Sequence, residues 1–192
     1  MNFEAYERLF FEILSGELSI PPYNNADYLD YVKLNFFRQQ RWLKTGVLQP
    51  QLVQVLKEIK PKLRWTVITE PWCGDSAHTI PFIHLLSKAN PLIEVDYQLR
   101  DEEPFLINSY LTNGSKSIPK LIVKEGNHLV GVWGPRPIKC QLLYEQLMHD
   151  HVDHSREKMA LQQWYNTDKG ESFQKELLIM LLNPILRPLL LV

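Results

Sequence analysis

Cysteine, net charge and long apolar runs are all scarce in this sequence. Its 192 residues include two cysteines, Cys73 and Cys140, which excludes a framework of several disulfides and favours a reducing compartment. A formal net charge of −1 gives no electrostatic basis for binding nucleic acid or an anionic membrane. The amino terminus has no basic segment followed by an apolar one, so no signal peptide is expected. The apolar stretch 177–192 contains two prolines and is too short and too broken for a membrane span. We therefore expect a soluble, cytoplasmic protein.

A strand-to-helix turn around Cys73 carries the strongest signal that is present. Residues 65–69 are short, apolar and β-branched, which predicts a buried strand. Residues 77–88 have apolar groups at helical spacing, with Asp75 or Ser76 available as the N-cap. Cys73 is then expected beside a helix N-terminus, where free N–H groups and the helix dipole favour an anion. The position predicts a lowered pKa and a nucleophilic thiol.

The remaining chain alternates between helix and strand signals. Three helices are predicted before residue 60, at 3–14, at 28–43 and from Pro50 onward. An α/β core follows, with strands at 65–69, 93–99, 120–124 and 128–133, and helices at 77–88, 102–111 and 137–148. Two further helices are predicted in the tail, one through Leu161 and one at 172–182. This pattern divides the chain into an N-terminal helical extension (1–60), a core (61–150) and a C-terminal helical extension (151–192), together forming one compact unit.

Two downstream motifs accompany the Trp72-Cys73-Gly74-Asp75-Ser76 stretch. They are Ser117-Ile118-Pro119-Lys120 before a predicted strand and Gly134-Pro135-Arg136-Pro137 after another. Together the three motifs resemble the thioredoxin superfamily, and in particular a bacterial thioredoxin-like group with Trp-Cys-Gly-Asp followed by Cys or Ser. The resemblance implies a thioredoxin-like α/β fold, in which helices flank a central mixed β-sheet, with helical extensions at both ends.

The resemblance also implies a site in which a cis-proline at Pro119 faces Cys73. Backbone groups beside that proline would pair with an extended peptide, as in strand addition. The implied catalytic residues are Cys73 and Ser76. The implied substrate-binding residues are Trp72, Gly74, Asp75, Ile118, Pro119, Trp133, Gly134 and Arg136. Of these, Trp72, Ile118, Trp133 and Gly134 would form an apolar rim around the cysteine.

Ser76 departs from the Cys-x-x-Cys pattern of the superfamily. A serine hydroxyl cannot form a disulfide, so an intramolecular dithiol cycle is unavailable. Ser76 would instead donate a hydrogen bond to the Cys73 thiolate, cap the helix, or be an ordinary residue at the helix N-terminus. Val67 stands where many thioredoxins carry a buried aspartate, which agrees with the loss of the second thiol. Cys140 is a conceivable distant resolving thiol, although an inert buried cysteine is the more common outcome.

Two charged groups near the cysteine have competing interpretations. Asp75 suits the helix dipole but opposes a neighbouring thiolate. Arg136 would stabilise a thiolate, bind a substrate carboxylate or pair with a surface acid, and the last is slightly preferred.

The histidine cluster at 149–154, which also contains Asp150 and Asp153, would align its side chains in one helix. A solvated helix face is favoured there over a metal site, and no metal or other cofactor is expected.

Three functions remain open. The first is a monothiol oxidoreductase, in which Cys73 forms a mixed disulfide with glutathione or a protein thiol and an external thiol resolves it. The second is a non-catalytic module that binds extended peptide segments across Pro119 and Trp72. The third is iron–sulfur binding like that of monothiol glutaredoxins, ranked last because their glutathione-binding residues have no evident counterpart here.

Overall fold

The computed structural model describes residues 1–182, which form seven α-helices and four strands. The helices are α1 (Phe3–Ser15), α2 (Ala26–Thr45), α3 (Pro50–Glu58), α4 (Gly74–Ser87), α5 (Ile138–His149), α6 (His154–Asp168) and α7 (Glu171–Leu182). The strands are β1 (Leu63–Thr69), β2 (Ile93–Leu99), β3 (Lys120–Glu125) and β4 (His128–Trp133).

The helices at the amino terminus follow their capping signals. The Asn2 side chain accepts a hydrogen bond from the Ala5 N–H, and α1 ends at Gly16, whose φ of 83° lies in the left-handed region that glycine tolerates. Pro50 occupies the first turn of α3, where the missing N–H would have no partner in any case. These boundaries confirm the predicted helices 3–14 and from Pro50.

The four strands form one mixed sheet in the order β2-β1-β3-β4. β1 and β2 run parallel, from Leu63 opposite Ile93 to Thr69 opposite Leu99, and α4 connects them. β3 is antiparallel to both β1 and β4, and the β3–β4 hairpin turns at residues 126–127. The central strand β1 is buried at six of its seven positions, so helices cover both faces of the sheet.

One apolar core joins the sheet to helices from both ends of the chain. Trp65 of β1, Phe10 of α1 and Leu177 of α7 belong to the same buried cluster. The rings of Tyr6 and Tyr97 stack there at 5.4 Å, which fixes α1 against β2.

The predicted helix 102–111 is wrong, because only a short 3₁₀ turn, Leu106–Ser109, forms in that segment. Pro104 lacks an N–H and disfavours a helical conformation at Glu103, and Phe105 adopts a positive φ of 51°.

No helix among residues 1–182 is long and apolar enough to cross a membrane. The apolar run at 177–192 lies partly outside the described residues.

Candidate functional site

Cys73 is itself the N-cap of α4, which begins at Gly74, so the expectation of Asp75 or Ser76 as the cap is wrong. The Cys73 carbonyl accepts the Ala77 N–H at 3.2 Å, and its own N–H donates to the Glu70 carbonyl at 3.0 Å. The turn therefore connects the end of β1 directly to the helix.

A small apolar cluster encloses the thiol. Cys73 is only 6% exposed and packs with four buried isoleucines: Ile68, Ile107, Ile118 and Ile122. Half-buried Trp72, Leu106 and Tyr110 pack against the outside of this cluster. The thiol Sγ donates to the Ile118 carbonyl oxygen at 3.5 Å. The Cys73 side chain is consequently almost inaccessible to water.

Burial, and after it the nearby Asp75 carboxylate, raise the pKa of the Cys73 thiol to about 11. The hydroxyl and N–H of Ser76 and the charge of Arg136 oppose this rise without cancelling it. The sequence predicts a lowered pKa, whereas the structure gives a raised one, because desolvation outweighs the helix N-terminus. The thiol form of Cys73 is therefore favoured over the thiolate at pH 7.

Ser76 lies in the first turn of α4 and is fully buried. No group among residues 1–182 forms a hydrogen bond of full geometry with its Oγ. The Ser76 hydroxyl and N–H nevertheless both face the Cys73 thiol closely enough to lower the pKa of that thiol. Ser76 is therefore placed to donate a hydrogen bond to a Cys73 thiolate, and it does not cap the helix.

Asp75 and Arg136 form a largely buried ion pair. Arg136 Nη2 lies 2.8 Å from Asp75 Oδ2, and the two side chains are 15% and 12% exposed. The Tyr165 hydroxyl donates to Asp75 Oδ1 at 2.8 Å, and the Arg136 guanidinium stacks over Tyr144 at 4.1 Å. The preferred expectation for Arg136, a surface acid, is wrong, because its partner is the buried carboxylate of the motif itself.

Burial raises the pKa of Asp75, and the two donors, Arg136 and Tyr165, oppose that rise. The contact between Tyr165 and Asp75 could not be predicted from the sequence, because Tyr165 lies in α6, ninety positions after Asp75, and no local pattern connects the two.

The Ile118–Pro119 segment borders the site beside Gly134. The Ile118–Pro119 peptide bond is cis, and both residues are buried. A Cβ at Gly134 would lie 2.1 Å from the Pro119 carbonyl oxygen, and φ at Gly134 is 115°. Only glycine allows β4 to end this close to Pro119.

The two tryptophans of the expected rim lie in different places. Half-buried Trp72 is beside Cys73, with the Tyr28 ring at 5.9 Å and the Arg100 guanidinium at 4.7 Å. Trp133 instead packs on Phe173 of α7 in the main core, so its expected place in the rim is wrong.

A carboxylate of α7 fixes both ends of the Gly134–Pro137 loop. Trp133 Nε1 and the Ile138 N–H donate to the two oxygens of Glu176, at 2.7 and 2.8 Å.

Gly74 is half-exposed, and a Cβ there would lie 3.5 Å from Arg38 Nη1, an ordinary contact. A Cβ at position 74 would therefore fit, and the glycine is not sterically required.

Cys140 lies in a separate apolar cluster with Leu161 and Tyr165. Burial raises the pKa of its thiol to about 12, with a further contribution from Asp75. Both cysteines are free, and the structure does not bring Cys140 into the cluster around Cys73.

The histidine cluster spans the turn between two helices, because α5 ends at His149 and α6 begins at His154. The expected alignment on one helix is therefore wrong. His149 pairs with Asp150 at 3.1 Å, and His154 pairs with Glu157 at 3.0 Å. Within the described part of the chain, no group of three or more His, Cys, Asp or Glu side chains has the arrangement of a metal site.

The turn before Cys73 is also fixed to the N-terminal region. Glu70 is 4% exposed and accepts the Tyr23 hydroxyl at 2.7 Å and the Asp101 N–H at 3.3 Å. Burial raises the pKa of Glu70 despite these donors. Tyr23 gave no sequence signal, since it belongs to the loop before α2.

A family-model match and the likeness to one solved structure agree with this architecture. Residues 22–150 match the protein-family model described as "Thioredoxin". Among solved structures, an HIV epitope-scaffold has a TM-score of 0.52 and 18% identity, covering 94% of this chain and 98% of that chain. A protein of unknown function from Pseudomonas aeruginosa has a TM-score of 0.46 and 19% identity, covering 77% of this chain and 87% of that chain. The likeness to the scaffold shows the fold alone, and no curated protein matches the sequence.

Proposed function

This chain belongs to the thioredoxin family, and from that premise we propose that it is a non-catalytic member, which binds extended segments of partner proteins instead of reducing disulfides. The observation that carries the proposal is the state of Cys73. Its thiol is 6% exposed and donates to the Ile118 carbonyl, so it is neutral at physiological pH. Ser76 removes the second thiol of a dithiol cycle.

A surface beside Cys73 supports the binding part of the proposal. We define the site surface as Trp72, Phe105, Leu106, Tyr110 and Leu111. Three of these side chains pack against the Cys73 cluster, while Phe105 and Leu111 are 40% and 44% exposed. Aromatic and apolar side chains that already contact a buried cluster lose little further conformational entropy when a partner covers them. The surface therefore suits an extended segment with apolar side chains.

Monothiol exchange is the second candidate, favoured by the fully buried Ser76 hydroxyl, which faces the thiol and has no other hydrogen-bond partner among residues 1–182. In that reaction the Cys73 thiolate attacks a disulfide R–S–S–R, forming Cys73–S–S–R and releasing RS⁻. An external thiol, glutathione or a protein thiol, then attacks the mixed disulfide and restores Cys73. Iron–sulfur binding gains no comparable observation and stays a prediction.

A cytoplasmic location is part of the same proposal, because thiols stay reduced there. The two free cysteines, Cys73 and Cys140, support it.

Two phage-displayed libraries of random linear peptides separate the candidates, one free of cysteine and one with a single fixed cysteine. Both are panned on the whole protein without reductant. We expect enrichment from the cysteine-free library, with binding that persists in Cys73→Ala and in dithiothreitol.

A matched pair of exposed phenylalanines locates the binding surface. Phe105→Asp, in the site surface, should weaken peptide binding at least tenfold, whereas Phe37→Asp, on α2 and 60% exposed, should not change it. Enrichment only from the cysteine library, with capture reversed by dithiothreitol and lost in Cys73→Ala, would overturn the proposal and establish monothiol exchange. Failure of both libraries to enrich would overturn it as well.

A further inference from the structure

Tyr165 connects the C-terminal extension to the first turn of α4. It lies in α6, after the last residue that the family model matches. Its ring stacks on that of His78 with centroids 4.4 Å apart and an interplanar angle of 4°. In that position its hydroxyl donates to Asp75 Oδ1 at 2.8 Å. The tyrosine is 5% exposed, so the contact is made inside the protein.

The two oxygens of Asp75 therefore have two different donors. Tyr165 takes Oδ1 and Arg136 takes Oδ2, both at 2.8 Å, which leaves the carboxylate no free rotation. Asp75 follows Cys73 by two residues in the first turn of the same helix. A fixed negative charge at this point opposes a second negative charge on the sulfur.

We propose that Tyr165 is a positioning residue: it holds the Asp75 carboxylate beside Cys73, and the carboxylate in that place keeps the thiol protonated. This inference rests on the proposed function in one respect, that Cys73 is a neutral group. It assigns the C-terminal extension a part in the chemistry of the site, in addition to its packing on the core. The raised pKa of Cys73, to which Asp75 contributes after burial, supports the assignment.

Other charged and titratable groups also surround these two side chains. Those acting on Cys73 are Tyr6 of α1, Arg100 after β2 and Arg136 after β4. Those acting on Asp75 from further elements are Arg38 of α2, Glu157 of α6 and Cys140 of α5. None of these groups donates a hydrogen bond to Asp75 Oδ1. The variants Asp75→Asn and Asp75→Asn/Tyr165→Phe, described below, therefore separate the contribution of Asp75 from the contributions of these groups.

The test measures alkylation of Cys73 in brief iodoacetamide pulses between pH 7 and 12, with the plateau rate taken from a fit to the whole profile and with Cys73 and Cys140 peptides quantified separately by mass spectrometry. The midpoint of the pH profile reports the ionisation of the thiol, while the plateau rate reports its accessibility. A purely structural change moves the plateau and leaves the midpoint in place.

Asp75→Asn keeps the shape and hydrogen-bonding capacity of the side chain and removes its charge. It should lower the midpoint by about one pH unit and speed Cys73 alkylation about tenfold at pH 8, the lower end of the effect of a neighbouring charge. Tyr165→Phe should move the midpoint in the same direction by a smaller amount. Tyr97→Phe is the matched control, because its buried hydroxyl has no partner among the described residues.

The double variant Asp75→Asn/Tyr165→Phe decides whether Tyr165 acts through Asp75. If it does, Tyr165→Phe adds no further shift once the charge at position 75 is gone. An unchanged midpoint in Asp75→Asn or in Tyr165→Phe overturns the inference, as does an equal Tyr165→Phe shift in both backgrounds. A wild-type midpoint at or below about 8.5 would instead refute the neutral thiol, and with it the proposed function.

Discussion

Replacing Arg136 with methionine should reveal how strongly the buried ion pair stabilises the fold. Methionine keeps an apolar stem against Tyr144 and removes the charge, so Asp75 is left with Tyr165 as its donor. Both partners are at most 15% exposed, and solvent screens the pair little. Breaking a buried pair from one side leaves an uncompensated charge and costs about 3 to 5 kcal/mol. We expect a loss of that size in the free energy of unfolding at pH 7.5.

Urea unfolding followed by circular dichroism measures this loss. The loss should shrink as the pH falls. Asp75 has a raised pKa in the folded state, so its burial costs most when it is ionised, and protonation relieves the variant. Arg156→Met is the matched control. Its partner Asp153 is 3.3 Å away, but both side chains are more than half exposed, so the change should cost less than about 1 kcal/mol.

Two results would refute this reasoning. One is a loss in Arg136→Met no larger than that in Arg156→Met, which would mean that the buried pair contributes no more than a surface pair. The other is a loss that grows on acidification, which would mean that Asp75 is not the group left uncompensated.

Two further changes test the packing around the site. Gly134→Ala should cost at least about 2 kcal/mol in the free energy of unfolding, because its Cβ would meet the Pro119 oxygen at 2.1 Å. Gly114→Ala is the control: φ there is 78° and the space around it is open, so it should cost only the backbone strain of about 1 to 2 kcal/mol. Equal losses of the two variants in urea unfolding would contradict the close approach of Gly134 to Pro119. Burial lowers the pKa of His78 to about 3, so its neutral form stabilises the fold above pH 6.5 and that contribution, about 5 kcal/mol at most, is lost as the pH falls toward 3. His78→Asn should therefore flatten the decline in unfolding free energy over this range, and an unchanged slope would show that His78 is not the responsible group.

The strands were predictable because their signals are local. β2 at 93–99 and β4 at 128–133 occupy the predicted residues, since alternating or continuous apolar runs between turn residues determine them. The predicted helix at 102–111 was wrong for an equally local reason, the proline at 104, which the apolar spacing concealed. Local chemistry therefore accounts for both the correct and the incorrect elements.

The properties of the site depend on contacts that no local pattern contains. The direction of the Cys73 pKa follows from burial by Ile107 and Ile118, which come from segments more than thirty residues away. The partner of Arg136 was also out of reach, because Asp75 and Arg136 meet only once β4 and α4 are in place. Motifs located the site, and tertiary packing determined its electrostatics.

The contacts of Glu176 connect α7 to residues on both sides of the Gly134–Pro137 loop. A fragment that stops at residue 150 would retain the carboxyl end of the family match, yet it would lack the acceptor for Trp133 Nε1 and for the Ile138 N–H. It would also uncover Trp133, whose ring packs on Phe173. Limited proteolysis should therefore leave α7 attached to the sheet for as long as the sheet itself survives. We therefore expect the boundary of cooperative unfolding to lie beyond residue 150, where the family match ends.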